Sequence, residues 1–359
     1  MALCISRGVA HPVRVSIILS LTRRNTRSLV PSFPGFYLAP NGVTVLCVGG
    51  VSLNSTGVVG GVTYTKRDRA GLLALVASES WDELATSCTS DVSDFAELMK
   101  DAVGFNADIS SWDVGAATSM ESMVRTVAAR FVGLCVSPPY PYPYPYPCPY
   151  PLALVLFQFR GASSFNQDIG WWATGSVTSM KYMFRDTPFN RDIGAWDTSS
   201  VEDMSWMFYN ADAFDQDIGG WDTSRVRDFS GMFYEATSFD QPIGGWDTSS
   251  ATTLYAMFGA AKAFNQPIGD WNLTSVTNLA DTFWGAAAFD QDLGNWDTSA
   301  VTTMVDMFRD AFAFNRSIGG WDVRRVTKTN SMFRDAYAFD QPIGDWDVSQ
   351  NTRMDDMVR

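Results

Sequence analysis

Two columns of residues in this sequence have the chemistry of recognition or ion binding, because each recurs about every 25 residues. One lies directly after a phenylalanine and reads Arg160, Arg185, Tyr209, Tyr234, Gly259, Trp284, Arg309 and Arg334 in successive units. Tyr, Trp and Arg join broad faces to hydrogen-bonding ends and dominate binding hot spots. Stacked units would align them as one ridge, flanked by Asp186, Glu235, Asp310 and Asp335. A structural reading competes: arginine near a helix C-terminus complements the dipole, while the aromatics shield neighbouring units.

The second column follows a tryptophan: Asp113, Asp197, Asp222, Asp247, Asn272, Asp297, Asp322 and Asp347. Stacked carboxylates have the ligand type that calcium prefers. The Asp-Thr-Ser context favours turn and cap bonding instead, so no metal is assigned. A third column after phenylalanine (Asn190, Asp215, Asp240, Asn265, Asp290, Asn315, Asp340) reads as bonding backbone between units. No carboxylate pair stands apart as a general acid and base, since every unit repeats the same ones. The single histidine, His11, lies near the N-terminus, which removes the usual neutral-pH proton shuttle. Nucleophile motifs, phosphate loops and metal clusters are missing from the pattern. The expectation is a protein that is not an enzyme and carries no cofactor.

These columns need a repeating scaffold to position them. Tryptophans 112, 172, 196, 221, 246, 271, 296, 321 and 346 occupy one position of a unit written FDQDIGGWDTSRVRDFSGMFYEATS from Phe214. Nine units carry this core, from Phe105 to Phe339, with helical half-units expected at 88–104 and 348–359. Val201, Met204, Met207, Phe208 and Ala211 have helical spacing, and Ser199 with Glu202 has the form of a capping box. Phe214, Ile218 and Trp221 fall on a short extended segment, with Gly219 and Gly220 at a bend. The spacing predicts an α/β fold: a parallel solenoid with one short strand and one short helix per 25-residue coil. A lone coil cannot bury its own Phe, Ile, Trp and Met; stacking supplies the core.

Composition bounds what surrounds this repeat. The chain has 359 residues, 14% aromatic content and a formal charge of -13. Residues 1–67 hold seven Lys or Arg and no acid, so the overall -13 leaves -20 on the rest. That acidity argues against nucleic acid, whose affinity is built on cationic phosphate contacts. No apolar run reaches membrane-spanning length. Residues 1–35, with Arg7 and Arg14 before the apolar run Val15 to Leu21, read as a basic leader or a spurious extension of the start. Residues 36–87 read as a small β cap, with Asn41-Gly42 as a turn and Val43 to Val45 and Val62 to Thr65 as strands. Residues 88–359 form the repeat region.

One unit is broken. Deleting Val124 to Gln158 joins Met123 to Phe159 and restores a full repeat. Residues 124–158 are Pro/Tyr-rich, a whole number of codons long, and compatible with GT and AG boundaries around a pyrimidine-rich tract. They are expected to be a retained in-frame intron. The alternative is a polyproline-type linker that binds an SH3-like partner.

The phrases FNQDIGAWDTSSVEDMSWMF and FDQDLGNWDTSAVTTMVDMF closely resemble the repeats of BspA-like leucine-rich-repeat surface proteins, including surface lipoprotein repeats of mycoplasmas and Listeria. FYLAPNGVTVLCVGG and GVVGGVTYTKRDR resemble that family's N-terminal module. The resemblance implies a leucine-rich-repeat solenoid, a secreted or cell-surface location, and adhesion or the binding of protein or glycan. An intracellular interaction scaffold is the alternative. Of the five cysteines, Cys4 lies in the leader, and Cys135 and Cys148 lie in the interruption. Cys47 and Cys88 remain, either as one disulfide tying cap to solenoid, suited to an oxidising compartment, or as two buried thiols.

Overall fold

A computed structural model describes residues 35–124, apart from Pro40, Gly49, Asp101, Val103 and Gly104, together with residues 164–357. The basic leader with His11 and Cys4, the interruption from residue 125 with Cys135 and Cys148, and Arg160 lie outside the described residues.

The N-terminal module is built from two hairpins and two short helices. Strands β1 (Gly35–Leu38) and β2 (Val45–Val48) pair antiparallel, with Leu38 opposite Val45. The Asn41 side chain accepts the amide N–H groups of Val43 and Thr44. Those two residues therefore belong to the turn, and the strand expected from Val43 begins at Val45. Strands β3 (Thr56–Val59) and β4 (Val62–Lys66) meet at Gly60-Gly61, both with positive φ, as a two-residue hairpin turn requires. Helix α1 (Arg69–Ala77) starts where the Asp68 carboxylate accepts the Gly71 N–H. Helix α2 (Trp81–Ala85) follows, and β5 (Ser87–Cys88) then pairs parallel with β4.

The repeat region stacks coil upon coil. Nine isolated parallel bridges run from Asp94 through Ser119, Ser179, Asp203 and Asp228 to Arg353, joining ten successive turns of the chain. The spacing of Val201, Met204, Met207 and Phe208 predicts a helix, but this segment is a succession of tight turns. Among the described residues, α1 and α2 are the only helices. The physical reason lies in the destination of the amides. Those of Met204, Trp206, Phe208 and Asn210 donate to Asp228, Ser230, Met232 and Tyr234 of the next coil. Alternate amides (Met207, Tyr209, Ala211) bond three residues back. Half the donors are spent between coils, so the continuous i to i−4 ladder of a helix cannot form. The half-units at 88–104 and 348–359 follow the same turn-and-bridge pattern in their described residues and are likewise not helical.

Ser199 and Glu202 do not form a capping box. Ser199 bonds the Asp197 carboxylate, and the Glu202 N–H donates to Thr178 of the preceding coil. The Phe214 to Trp221 segment is not a strand either. Its counterparts carry proline at Pro242, Pro267 and Pro342, which have no amide to contribute to a ladder. Side chains bond it instead: Asn190 Oδ1 accepts the Asp215 N–H, and Asp215 Oδ1 accepts that of Asp240. At the bend, a Cβ on Gly219 would collide with the Pro242 carbonyl of the next coil.

Inside the coils, apolar side chains form columns. Phe208 stacks within its coil on Phe214 at 3.8 Å and between coils on Phe233 at 5.7 Å. Trp196 and Trp221 lie nearly parallel, centroids 6.4 Å apart. From Trp172 to Trp346, each indole N–H of this tryptophan column donates to the isoleucine or leucine carbonyl of the preceding coil, as Trp221 does to Ile193 at 3.1 Å. Ile193 O also accepts the Trp196 N–H of its own coil, so both its lone pairs are used.

The stack passes across the interruption without a change of register. Ser119 bridges Ser179, and the Val124 N–H donates to Met183 O. The offset of 60 residues is the 25-residue period plus 35. Val124 is buried in the slot that Phe184 fills one coil later, so the stacked chain extends one residue beyond Met123.

Candidate functional site

Among the described residues, the ridge begins with Arg185. Its guanidinium lies 4.4 Å from the centre of the Tyr209 ring, and its Nε lies 3.1 Å from the Asp186 carboxylate. The Tyr209 and Tyr234 rings are nearly parallel with centroids 5.2 Å apart. At Gly259 the column has no side chain. A Cβ there would press into the Tyr234 ring, so Tyr234 and Trp284 lean into the gap and meet at 5.7 Å across two coils. Arg309 and Arg334 continue the column, paired with carboxylates. Arg309 contacts Asp306 at 3.3 Å and Asp310 at 3.5 Å, and Arg334 contacts Asp335 at 3.5 Å. With no helix in these coils, the helix-dipole explanation of the arginines falls away; their partners are adjacent acids.

Ring centroids of equivalent positions in adjacent coils lie 6.4 Å apart at Trp196–Trp221, 5.7 Å at Phe208–Phe233 and 5.2 Å at Tyr209–Tyr234, so of these three columns the ridge packs its rings most closely.

A second aromatic row, not foreseen from the 25-residue columns, thickens the ridge. Trp206 lies across Gly231, where a Cβ would clash with its indole. Its ring is 5.6 Å from Tyr209, 6.0 Å from Tyr234 and 6.1 Å from the exposed Tyr255. The signal was present: Trp206 and Trp284 fall outside the nine-membered tryptophan series.

Beside these rings sits a group of carboxylates. Burial pushes Asp281 up to about 6; nearby Asp306 raises it further, and Arg309 opposes. Burial also raises Asp310, offset in part by Arg309. Burial and the Asp281 charge together push the Tyr255 phenol up.

The carboxylates after tryptophan are spent on turns. Asp222 Oδ1 accepts both the amide and hydroxyl of Ser224, which hold it below the usual carboxylate range. Asp247 and Asp297 are lowered in the same way by Ser249 and Ser299. Arg324 takes Asp322 down to about 2. Among the described residues, no group of three His, Cys, Asp or Glu side chains is arranged to hold a metal. No helix of the described residues is long and apolar enough to cross a membrane.

Cys47 on β2 and Cys88 on β5 are disulfide-bonded, Cα atoms 6.1 Å apart, and both are fully buried. The bond stands where the module meets the first coil. There the Trp112 indole N–H donates to Leu84 O, and the Val45 N–H to Ser111 O.

A family model described as Mycoplasma protein of unknown function, DUF285, matches residues 79–133, 155–271 and 252–359. The break between its first two segments falls inside the Pro/Tyr-rich interruption. No curated protein and no solved structure matches the chain.

Proposed function

The chain belongs to the DUF285 family of Mycoplasma proteins, and from that premise we propose that it is a non-enzymatic repeat scaffold of the BspA-like, leucine-rich-repeat type. It is a parallel solenoid, secreted or held at the cell surface, and mediates adhesion by binding protein or glycan. The observation that carries this reading is the continuous column Arg185, Tyr209, Tyr234 and Trp284 along the stack. Stacked repeats present extended binding surfaces, and partly exposed aromatic rings beside arginine are the residue types of interface anchors. The Cys47–Cys88 disulfide supports an oxidising compartment over the intracellular alternative.

Replacing Tyr209, Tyr234 and Trp284 together by alanine tests the reading. The triple variant should keep its coil structure, because the buried Phe and Trp columns are untouched. It should lose most retention on immobilised extracellular-matrix proteins and glycans. Retention equal to that of the parent chain would exclude this column as the binding surface.

A further inference from the structure

The ridge has a chemical asymmetry that narrows its partner. At one end, Arg185 places a guanidinium over the Tyr209 ring with the Asp186 carboxylate beside it. The chain thus occupies its own aromatic and carboxylate surface with a cation. At the other end the same ingredients recur: the Tyr255 ring lies 6.1 Å from Trp206, the Ala256 N–H beside it bonds Ala280 O next to Asp281, and the Asp281 N–H bonds Val305 O next to Asp306. There the nearby arginine, Arg309, is already shared between Asp306 and Asp310. Arg334, paired with Asp335, also acts on Asp310, so Asp281, Asp306, Asp310 and Asp335 face two guanidiniums and leave a net negative charge on the coils that follow Tyr255. Resting on the binding-scaffold reading above, we propose that the Tyr255–Asp281 end of the ridge docks an Arg- or Lys-rich polypeptide segment.

Charge complementarity selects this occupant. An aromatic face attracts a cation through its quadrupole, with arginine the commoner partner. A partly buried carboxylate of insufficient counter-charge gains from a cation that arrives with hydrogen-bond donors. A neutral glycan would use the rings but leave the excess charge uncompensated.

The test uses the full chain and a fluorescein-labelled octa-arginine peptide, read by anisotropy at pH 7.5 and about 150 mM salt. The parent chain should bind, and Tyr255→Ala and Asp281→Asn should each weaken binding about five- to tenfold. Asp347→Asn removes an equal charge from a turn near the C-terminal end of the stack, outside the Tyr255–Asp281 group, and should leave the affinity unchanged. Thermal unfolding of each variant establishes that the fold is retained. Equal losses for Asp281→Asn and Asp347→Asn would mean diffuse attraction to an acidic protein, and would overturn the proposal. Absence of octa-arginine binding would overturn it too. A parallel titration with cellohexaose separates the two readings. If the sugar binds and Trp284→Ala abolishes that binding, the scaffold reading stands and the basic partner is wrong. If neither probe binds and the matrix retention described above is also absent, both fail together.

Discussion

At the residue scale, the recurring side chains are chosen by the hydrogen bonds they complete as much as by their size. The column tryptophan is the clearest case. Phenylalanine would fill much of the same buried volume, yet only an indole supplies the N–H that reaches the preceding coil's carbonyl. Trp246→Phe should therefore destabilise by about 1–2 kcal/mol, measurable in urea unfolding. Asp247→Asn should fall within about 0.5 kcal/mol of the parent, because Asn272 already performs the same turn bonding one coil later. Asp281 gives the opposite kind of prediction. Its carboxyl titrates at about 6 when folded, against an ordinary value of 3.8 in an unfolded chain. The folded state thus holds more protons between those values, and stability falls as pH rises through that window. Above it the cost is fully present. Asp281→Asn should raise stability at pH 7 by about 1 kcal/mol once solvent screening is allowed for, and flatten the profile between about pH 4 and 6.

At the element scale, the N-terminal module closes the open edge of the first coil by hydrogen bonds and one covalent link. β4 and β5 run parallel, and β2 reaches Ser111 in that coil, so the edge that a bare stack would present to other chains is occupied. The disulfide spans a sequence separation of 41 residues, a loop whose closure is worth up to about 4 kcal/mol in the chain-entropy account. Cys47→Ala with Cys88→Ala should lower the unfolding midpoint clearly. Limited proteolysis should then cut within the β1–β2 hairpin before it reaches the repeat coils. A variant as resistant as the parent would show that hydrogen bonds alone hold the module. The coil segment whose spacing predicts a helix belongs to this scale too. Its apolar positions at spacings of three and four suit a helix, and they suit equally a chain of three-residue turns burying one side. Periodicity reports which side chains face inward, and not how the backbone between them is bonded.

At the scale of the whole molecule, stability is the sum of coil interfaces, each nearly a copy of the next. The register across the interruption follows from this: Ser119 meets Ser179 as any coil meets its neighbour. A chain lacking residues 124–158 should therefore keep the circular dichroism spectrum and unfolding midpoint of the parent. The deletion also places Phe159 in the aromatic slot that Val124 now fills. A large loss of cooperativity on deletion would show that the segment contributes to the stack. The 25-residue period was enough to determine the number of coils, their order and the residues in each column. Every coil must set its Phe, Ile and Trp against the same residues of the next, or leave them in water. The ridge from Arg185 to Trp284 was legible for that reason. Tertiary structure alone decided the rest: the exchange of a helix for a turn-and-bridge ladder, the leaning of Tyr234 and Trp284 into the gap at Gly259, and the meeting of Trp206 with Tyr255 across two coils. Those outcomes depend on which backbone donors the adjacent coil accepts and on where Gly231 and Gly259 leave room for a ring. Distances between coils set both, and a one-dimensional period does not contain them.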